Sequence, residues 1–301
     1  MRRLLLPVLV MSASLVGVTC ARMTLPDGLG EEDIQGVTDA YGQAAMLPCT
    51  VPIIGNCAVV TAEGSVRGIA DGRRIRGQLW IGIDIISGSL RLESVHATPS
   101  EFVFIANAAF KGQNDTSDVE STLVLPRSER VVQESSRRLL EAIIGFPLTA
   151  QEFMWALTGC PSWSGSIVGR KFGDTFMKVW VGDVLPLEVL LRRKDIGAPW
   201  TLLTMARHVD GEMFRWRAEF NERVRGLFRA IRMVSQDWNG EVGRAFDIRL
   251  SLSRIQVGPA IGPETFSLVP PRSARRVSLD TLREQRPRPA LPLVNDAPPI
   301  Q

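Results

Sequence analysis

Histidine is nearly missing from this chain of 301 residues: only His96 and His208 occur, 112 positions apart. Metal centres and acid–base sites built on imidazole need such side chains to converge, so most histidine-based catalysis is short of parts. Charge of one sign is scarce as well. The formal net charge is +3, and the basic surplus sits at the two ends: Arg2 and Arg3 at the start, and Arg272, Arg275, Arg276, Arg283, Arg286 and Arg288 after Val269. With those ends set aside, including Asp280, Glu284 and Asp296, the body holds 27 basic and 29 acidic residues. A nucleic-acid-binding domain would show the opposite balance. Cysteine is limited to four residues, none with the paired spacing of a zinc site and none beside a histidine. No Gly-rich phosphate loop and no Ser-His-Asp set is present. No catalytic residue, metal ligand or cofactor is therefore expected. What is present, 45% hydrophobic and 22% charged residues, is the composition of an ordinary globular protein that binds or builds.

Long apolar runs are also lacking, with one informative exception. Arg2 and Arg3 precede an apolar stretch from Leu4 to Val18, interrupted by Pro7 and too short for a stable membrane span. This predicts an export signal over residues 1–19. Its end, Val16-Gly17-Val18-Thr19-Cys20, resembles the lipobox of bacterial lipoproteins, although that family prefers Leu where Gly17 stands and Gly or Ala where Thr19 stands. The resemblance implies acylation of Cys20, with residues 20–30 as a tether; the competing reading is an ordinary secretory signal with an incidental cysteine. Acyl chains at roughly 0.8 kcal/mol per buried methylene hold a soluble domain on a membrane without a spanning helix. Ala21 replaces the Asp that signals inner-membrane retention in that family, which implies the periplasmic face of the outer membrane. In an oxidising compartment Cys49 and Cys57 could close a small loop, or Cys57 could pair with Cys160; the spacing does not choose.

The mature chain reads as a helix, then strands, then two helices, then strands again. Ile34, Val37, Tyr41 and Ala45 recur at helical spacing between Glu31 and Met46, with acids at the start. From Val59 the period falls to two: Ile75, Gly77, Leu79, Ile81, Ile83 and Ile85 share a face opposite Arg74, Arg76 and Gln78. Ser87-Gly88-Ser89 turns the chain into Leu90, Leu92 and Ser94. Phe102 to Ala106 and Thr122 to Leu125 add two runs, joined by a polar excursion from Lys111 to Glu120. Ser135 or Ser136 offers an N-cap for Leu139, Leu140, Ile143 and Ile144, which stop at Gly145. Thr149-Ala150-Gln151-Glu152 is a capping box ahead of Phe153, Ala156 and Leu157, which stop at Gly159. Alternation returns in Phe176 to Val181, Leu187 to Leu191, Trp200 to Thr204, Phe214 to Asn221 and Phe246 to Ser253. Such patterns belong to antiparallel strands with one wet face. The expectation is mainly β: ten to twelve strands in one sheet, one domain over 31–270, and an Arg/Pro-rich flexible tail over 271–301.

This order, with a closing Phe266-Ser267-Leu268-Val269-Pro270 strand, resembles the LolA/LolB-like superfamily of periplasmic lipoprotein carriers and receptors. Arg76-Gly77-Gln78-Leu79-Trp80, Leu90-Arg91-Leu92-Glu93, Leu123-Val124-Leu125-Pro126-Arg127 and Leu157-Thr158-Gly159-Cys160 carry the local likeness over roughly residues 30 to 270. The resemblance implies a half-open β-barrel, a large curved antiparallel sheet covered by a few short helices, whose apolar face takes acyl chains of lipids or lipoproteins. Interior burial of methylenes is non-directional and tolerant of chain identity. The residues expected to line such a cavity are Leu79, Ile81, Ile83, Leu90, Leu92, Phe102, Phe104, Trp216, Phe220, Phe246, Ile248 and Leu250, with Leu140, Ile143, Ile144, Phe153 and Leu157 as a lid. Each also serves as plain core. The alternative is a non-catalytic interaction module of an envelope assembly, its barrel filled by its own side chains and its protein partner recruited by a sheet edge or the tail.

Overall fold

The computed structural model describes Val37 and residues 59–285, apart from gaps at 71, 86, 96–101, 108–119, 146, 160–165, 183–185, 209–214, 225–226, 237–241, 259–262 and 269. The export segment, the tether, Cys20, Cys49, Cys57, Cys160 and the Lys111 excursion up to residue 119 lie outside the described residues. So does the expected N-terminal helix, except Val37, which is helical and fully buried.

Fourteen strands form one sheet. They are β1 (Val59–Ala70), β2 (Arg73–Asp84), β3 (Ser89–Ser94), β4 (Val103–Asn107), β5 (Glu120–Leu125), β6 (Arg130–Ser135), β7 (Ile167–Phe172), β8 (Phe176–Val181), β9 (Leu187–Arg192), β10 (Thr201–His208), β11 (Arg215–Val224), β12 (Leu227–Gln236), β13 (Val242–Gly258) and β14 (Arg275–Arg276). The spatial order is β14-β6-β5-β4-β3-β2-β1-β13-β12-β11-β10-β9-β8-β7. Hairpins therefore run outward from β1 to one edge. The chain then crosses to the far edge through two helices, α1 (Ser136–Ile144) and α2 (Ala150–Thr158), and returns hairpin by hairpin until β13 pairs with β1. All neighbours are antiparallel except β14 and β6. The two ends of the order, β14 and β7, are not neighbours, so the sheet stays open.

The seam between β1 and β13 joins the two halves, with Val66 opposite Leu250 and Gly68 opposite Ile248. A bulge between Thr61 and Glu63 interrupts it, the device by which a strand in a large sheet bends and twists. Buried residues alternate along β1 to β3: Val66, Leu79, Ile81, Ile83, Leu90 and Leu92 all point to the face that carries the helices. That face is called inner here.

Both helices start and stop as their sequences predict. Ser135 caps α1, its side chain accepting from the Arg138 N–H, and Gly145 ends it in the left-handed conformation at φ 77. Close approach also demands glycine there, since a Cβ would stand 2.2 Å from the Ala70 Cβ. Thr149 and Glu152 form the reciprocal capping box of α2. The helices are tied together by Ala150 N–H, which donates to Ser136 Oγ at 2.9 Å.

Two expectations are corrected at the C-terminus. Phe266 to Pro270 is not a closing strand: Pro263–Phe266 is a single 3-10 turn lying on the outer face over β3 and β4. There Arg91 Nη1 donates to the Thr265 carbonyl at 2.9 Å, and Phe266 is buried. The cause is in β4, whose outward residues Val103 and Ile105 are apolar and need cover as much as its inward Phe104 and Ala106. Residues 271–285 are likewise not a flexible tail. β14 adds to the β6 edge in parallel, Arg275 N–H donating to the Glu129 carbonyl at 2.7 Å and Val277 N–H to the Val131 carbonyl at 2.9 Å. α3 (Leu279–Gln285) follows, with Leu279 buried in the common core. Arg283 with Glu141 and Arg138 with Asp280 add exposed ion pairs to α1, each worth about 0–1 kcal/mol. Burying Leu279 and covering an open edge outweighs the tail's polar composition. The folded unit thus extends to Gln285.

Candidate functional site

The residues expected to face a cavity converge on the inner face. Leu79, Ile81, Ile83, Leu90, Leu92, Phe104, Trp216, Phe220, Phe246, Ile248 and Leu250 are buried and belong to one apolar cluster spanning both halves of the sheet. Phe102 is half-buried and packs against that cluster from its side. Of the five expected lid residues, Leu140, Ile144, Phe153 and Leu157 are buried in the cluster, and Ile143 is half-buried against it.

The two helices differ in what they cover. α1 is amphipathic, burying Ser136, Leu139, Leu140 and Ile144. α2 is enclosed almost all round: of its nine residues only Gln151 is not buried. A helix that is apolar on every side belongs inside a protein. It lies within the curve of the sheet against β12, where Gly159, its left-handed stop, packs on Phe228 and Leu202.

A buried carboxylate pins this helix. Glu152 is 2% exposed. Its Oε2 accepts from Thr149 N–H at 3.0 Å and from Thr149 Oγ1 at 3.2 Å, while its own N–H donates to Thr149 Oγ1 at 3.1 Å. Its Oε1 accepts from Trp216 Nε1 on β11 at 3.3 Å and is 3.6 Å from Arg207 Nη1 on β10. The Arg207 side chain is 12% exposed, and its guanidinium stacks 5.9 Å over Trp155 of the same helix. One carboxylate therefore satisfies the start of α2, the indole of the largest buried side chain and a nearly buried cation. Sequence reasoning found Glu152 only as the last letter of a capping box; nothing local signals Arg207, which sits 55 positions away.

Among the described residues no group of three or more His, Cys, Asp and Glu side chains could hold a metal ion. No described helix is long and apolar enough to cross a membrane. The inner face buries the chain's own apolar side chains, and Glu152 within it is engaged by Thr149, Trp216 and Arg207.

Apart from Glu152 and Arg207, the ion pairs of strands β8, β9 and β11 lie on the outer face. Glu188 on β9 lies 2.7 Å from Lys178 Nζ and 3.0 Å from Arg215 Nη1. Partial burial pushes its carboxyl up, but the Lys178 ammonium and then the Arg215 guanidinium outweigh burial and hold it below its ordinary value of 4.5. A depressed carboxylate contributes stability that is present in full above 4.5 and lost as pH falls through the lowered value. Glu188→Gln should therefore lower the melting temperature at pH 7 and converge on the parent in strong acid. Parallel melting curves across that range, with a constant gap, would contradict the assignment.

No family model and no curated protein matches the chain. Among solved structures it is similar to a DUF1329 family protein from Desulfovibrio piger, at 11% identity and a TM-score of 0.45 over 77% of this chain and 97% of that one. It is similar to a putative outer membrane lipoprotein-sorting protein domain from Vibrio parahaemolyticus, at 9% identity and a TM-score of 0.49 over 78% and 97%. It is also similar in fold to a LolA superfamily protein from Nitrosomonas europaea, at 10% identity and a TM-score of 0.46 over 77% of this chain and 97% of that one.

Proposed function

We propose that this chain is a non-catalytic carrier or receptor in the bacterial envelope that holds acyl chains of lipids or lipoproteins against the inner face of its open sheet. It is anchored through Cys20 at the periplasmic side of the outer membrane. The observation that carries the reading is the single apolar interior that runs from β6 across the β1–β13 seam to β8, in a sheet whose two ends do not meet. Such a surface gains about 0.8 kcal/mol per methylene it removes from water and is indifferent to headgroup. Glu152, the one buried charged residue among those described, is engaged in holding α2.

Native mass spectrometry of the chain beginning at Ala21, purified from bacteria, tests this. Lipid-mass adducts that exchange with added fatty acid are the expected result. A single adduct-free species that takes up no fatty acid would overturn the reading.

The burial of α2 on nearly every side favours a second reading. In it the helix fills the barrel, and the protein recruits an envelope partner through its last residues. Truncation after Gln285 separates the two, because it removes the Arg/Pro tail and leaves β14 and α3 intact. Lost partner capture with no lipid adducts in either form supports the module; unchanged lipid adducts in the truncated form support the carrier.

A further inference from the structure

A row of arginines crosses the outer face of the sheet. Arg76 on β2 is directly opposite Arg67 on β1, Arg67 is opposite Arg249 on β13, and Arg249 is opposite Arg232 on β12. Arg74 stands two positions from Arg76 on the same face of β2. Like charges directly opposite one another on neighbouring strands oppose folding, so four in succession demand an account.

Arg232 supplies its own. Asp247 grips it through both carboxylate oxygens, at 3.0 and 2.7 Å, and Glu219 lies 3.4 Å away. Those contacts, the hydrogen bonds to Asp247 above all, hold its guanidinium charged well above the ordinary range. Glu63, the next acid along β1, pairs with Arg254 at 2.6 Å. Arg67, Arg74, Arg76 and Arg249 are exposed, and none of them has an ion pair among the described residues.

We infer that Arg67, Arg74, Arg76 and Arg249 form a docking surface for an anionic phospholipid bilayer on the outer face of the β2–β1–β13 seam. Charge complementarity is the main argument. Strands about 4.8 Å apart, with alternate residues about 7 Å apart along each, set four guanidinia in a compact array, and guanidinium is the side chain whose fork fits phosphate oxygens. Ile69 is one of four large apolar side chains exposed among the described residues, at 49%. It stands between Arg74 and Asp247 in the adjoining cross-strand row. An apolar tip among cations suits the boundary between headgroups and acyl chains. β1, β2 and β13 each have partners on both sides, so the surface has no open edge on which an extended acidic peptide could add as a strand. The inference concerns the outer face and does not depend on what the inner face holds.

Vesicle binding provides the test. The chain beginning at Ala21 carries every described residue. It should bind phosphatidylcholine vesicles only when phosphatidylglycerol is included, and less so at high salt. Each arginine near such a surface contributes about fivefold. The triple variant Arg67→Gln/Arg76→Gln/Arg249→Gln should therefore lose about a hundredfold in partitioning. Arg272→Gln/Arg275→Gln/Arg276→Gln, an equal loss of charge elsewhere, should lose far less. The first variant should melt at or above the parent temperature because repelling charges are gone, so weaker binding reports the patch and not the fold. Equal binding by both variants, binding that ignores phosphatidylglycerol, or binding of polyglutamate in place of vesicles would overturn the inference. Lipid adducts in the interior should be the same in all three proteins; their absence in all would count against the carrier reading alone.

Discussion

Replacing Glu152 by alanine is expected to destabilise the protein by about 3–5 kcal/mol, the usual cost of deleting one partner of a buried charge pair. Three residues lose a partner at once. Thr149 N–H, at the start of α2, returns to being an orphan donor in a buried site. Trp216 Nε1 is left facing an apolar cluster. The Arg207 guanidinium, almost out of water, loses the carboxylate that balances it. Glu152→Gln keeps an acceptor and gives up only the charge, so about 1–2 kcal/mol is expected there. Urea unfolding of both variants checks the claim. Equal costs, or a cost below about 1 kcal/mol for the alanine variant, would show that the carboxylate is not what holds α2.

Gly68→Ala should cost about 3 kcal/mol or more, because no side-chain adjustment can relieve it. A Cβ on Gly68 would meet the Asp247 carbonyl oxygen at 2.1 Å and the Ile248 Cα at 2.7 Å, both backbone atoms of β13. The strands would have to part at the seam that joins the two halves of the sheet, where Gly68 pairs with Ile248. Gly77→Ala is the matched control. Gly77 lies opposite Val66 on the neighbouring strand, with nothing within 4 Å of a Cβ there. It should be neutral or stabilising by up to about 1 kcal/mol through a less flexible unfolded chain. Thermal melts of the two variants should separate widely; similar melting temperatures would refute the close approach at the seam.

Both effects fall on residues whose importance is invisible locally. Gly68 looks like any glycine in a strand, and Glu152 like the end of a capping box. The inner face, by contrast, was legible almost residue by residue. Period two in Leu79-Trp80-Ile81-Gly82-Ile83 and in Phe246 to Leu252 states which side chains must leave water, whatever the partner strands are. Ser135, Gly145, Thr149 and Gly159 bracket the helices through interactions made within four residues. Arg130–Ser135 and Ile167–Phe172 do not alternate cleanly in burial, so a period of two does not mark them as strands. Composition misleads over residues 271–285 because arginine and proline content reports average solubility, whereas Leu279 and two backbone hydrogen bonds to the β6 edge decide the matter.

By itself, then, the sequence determined the class of the fold, the face of each alternating strand, the helix boundaries and the scarcity of histidine. These follow from local periodicity and composition. Tertiary structure alone decided that β13 closes on β1, that α2 is enclosed, that Arg207 meets Glu152, and that Arg76, Arg67 and Arg249 stand in one row. Each of these is a matter of strand order and register between segments far apart in the chain. Alternation tells a side chain which way to point, but not which neighbour it will find there.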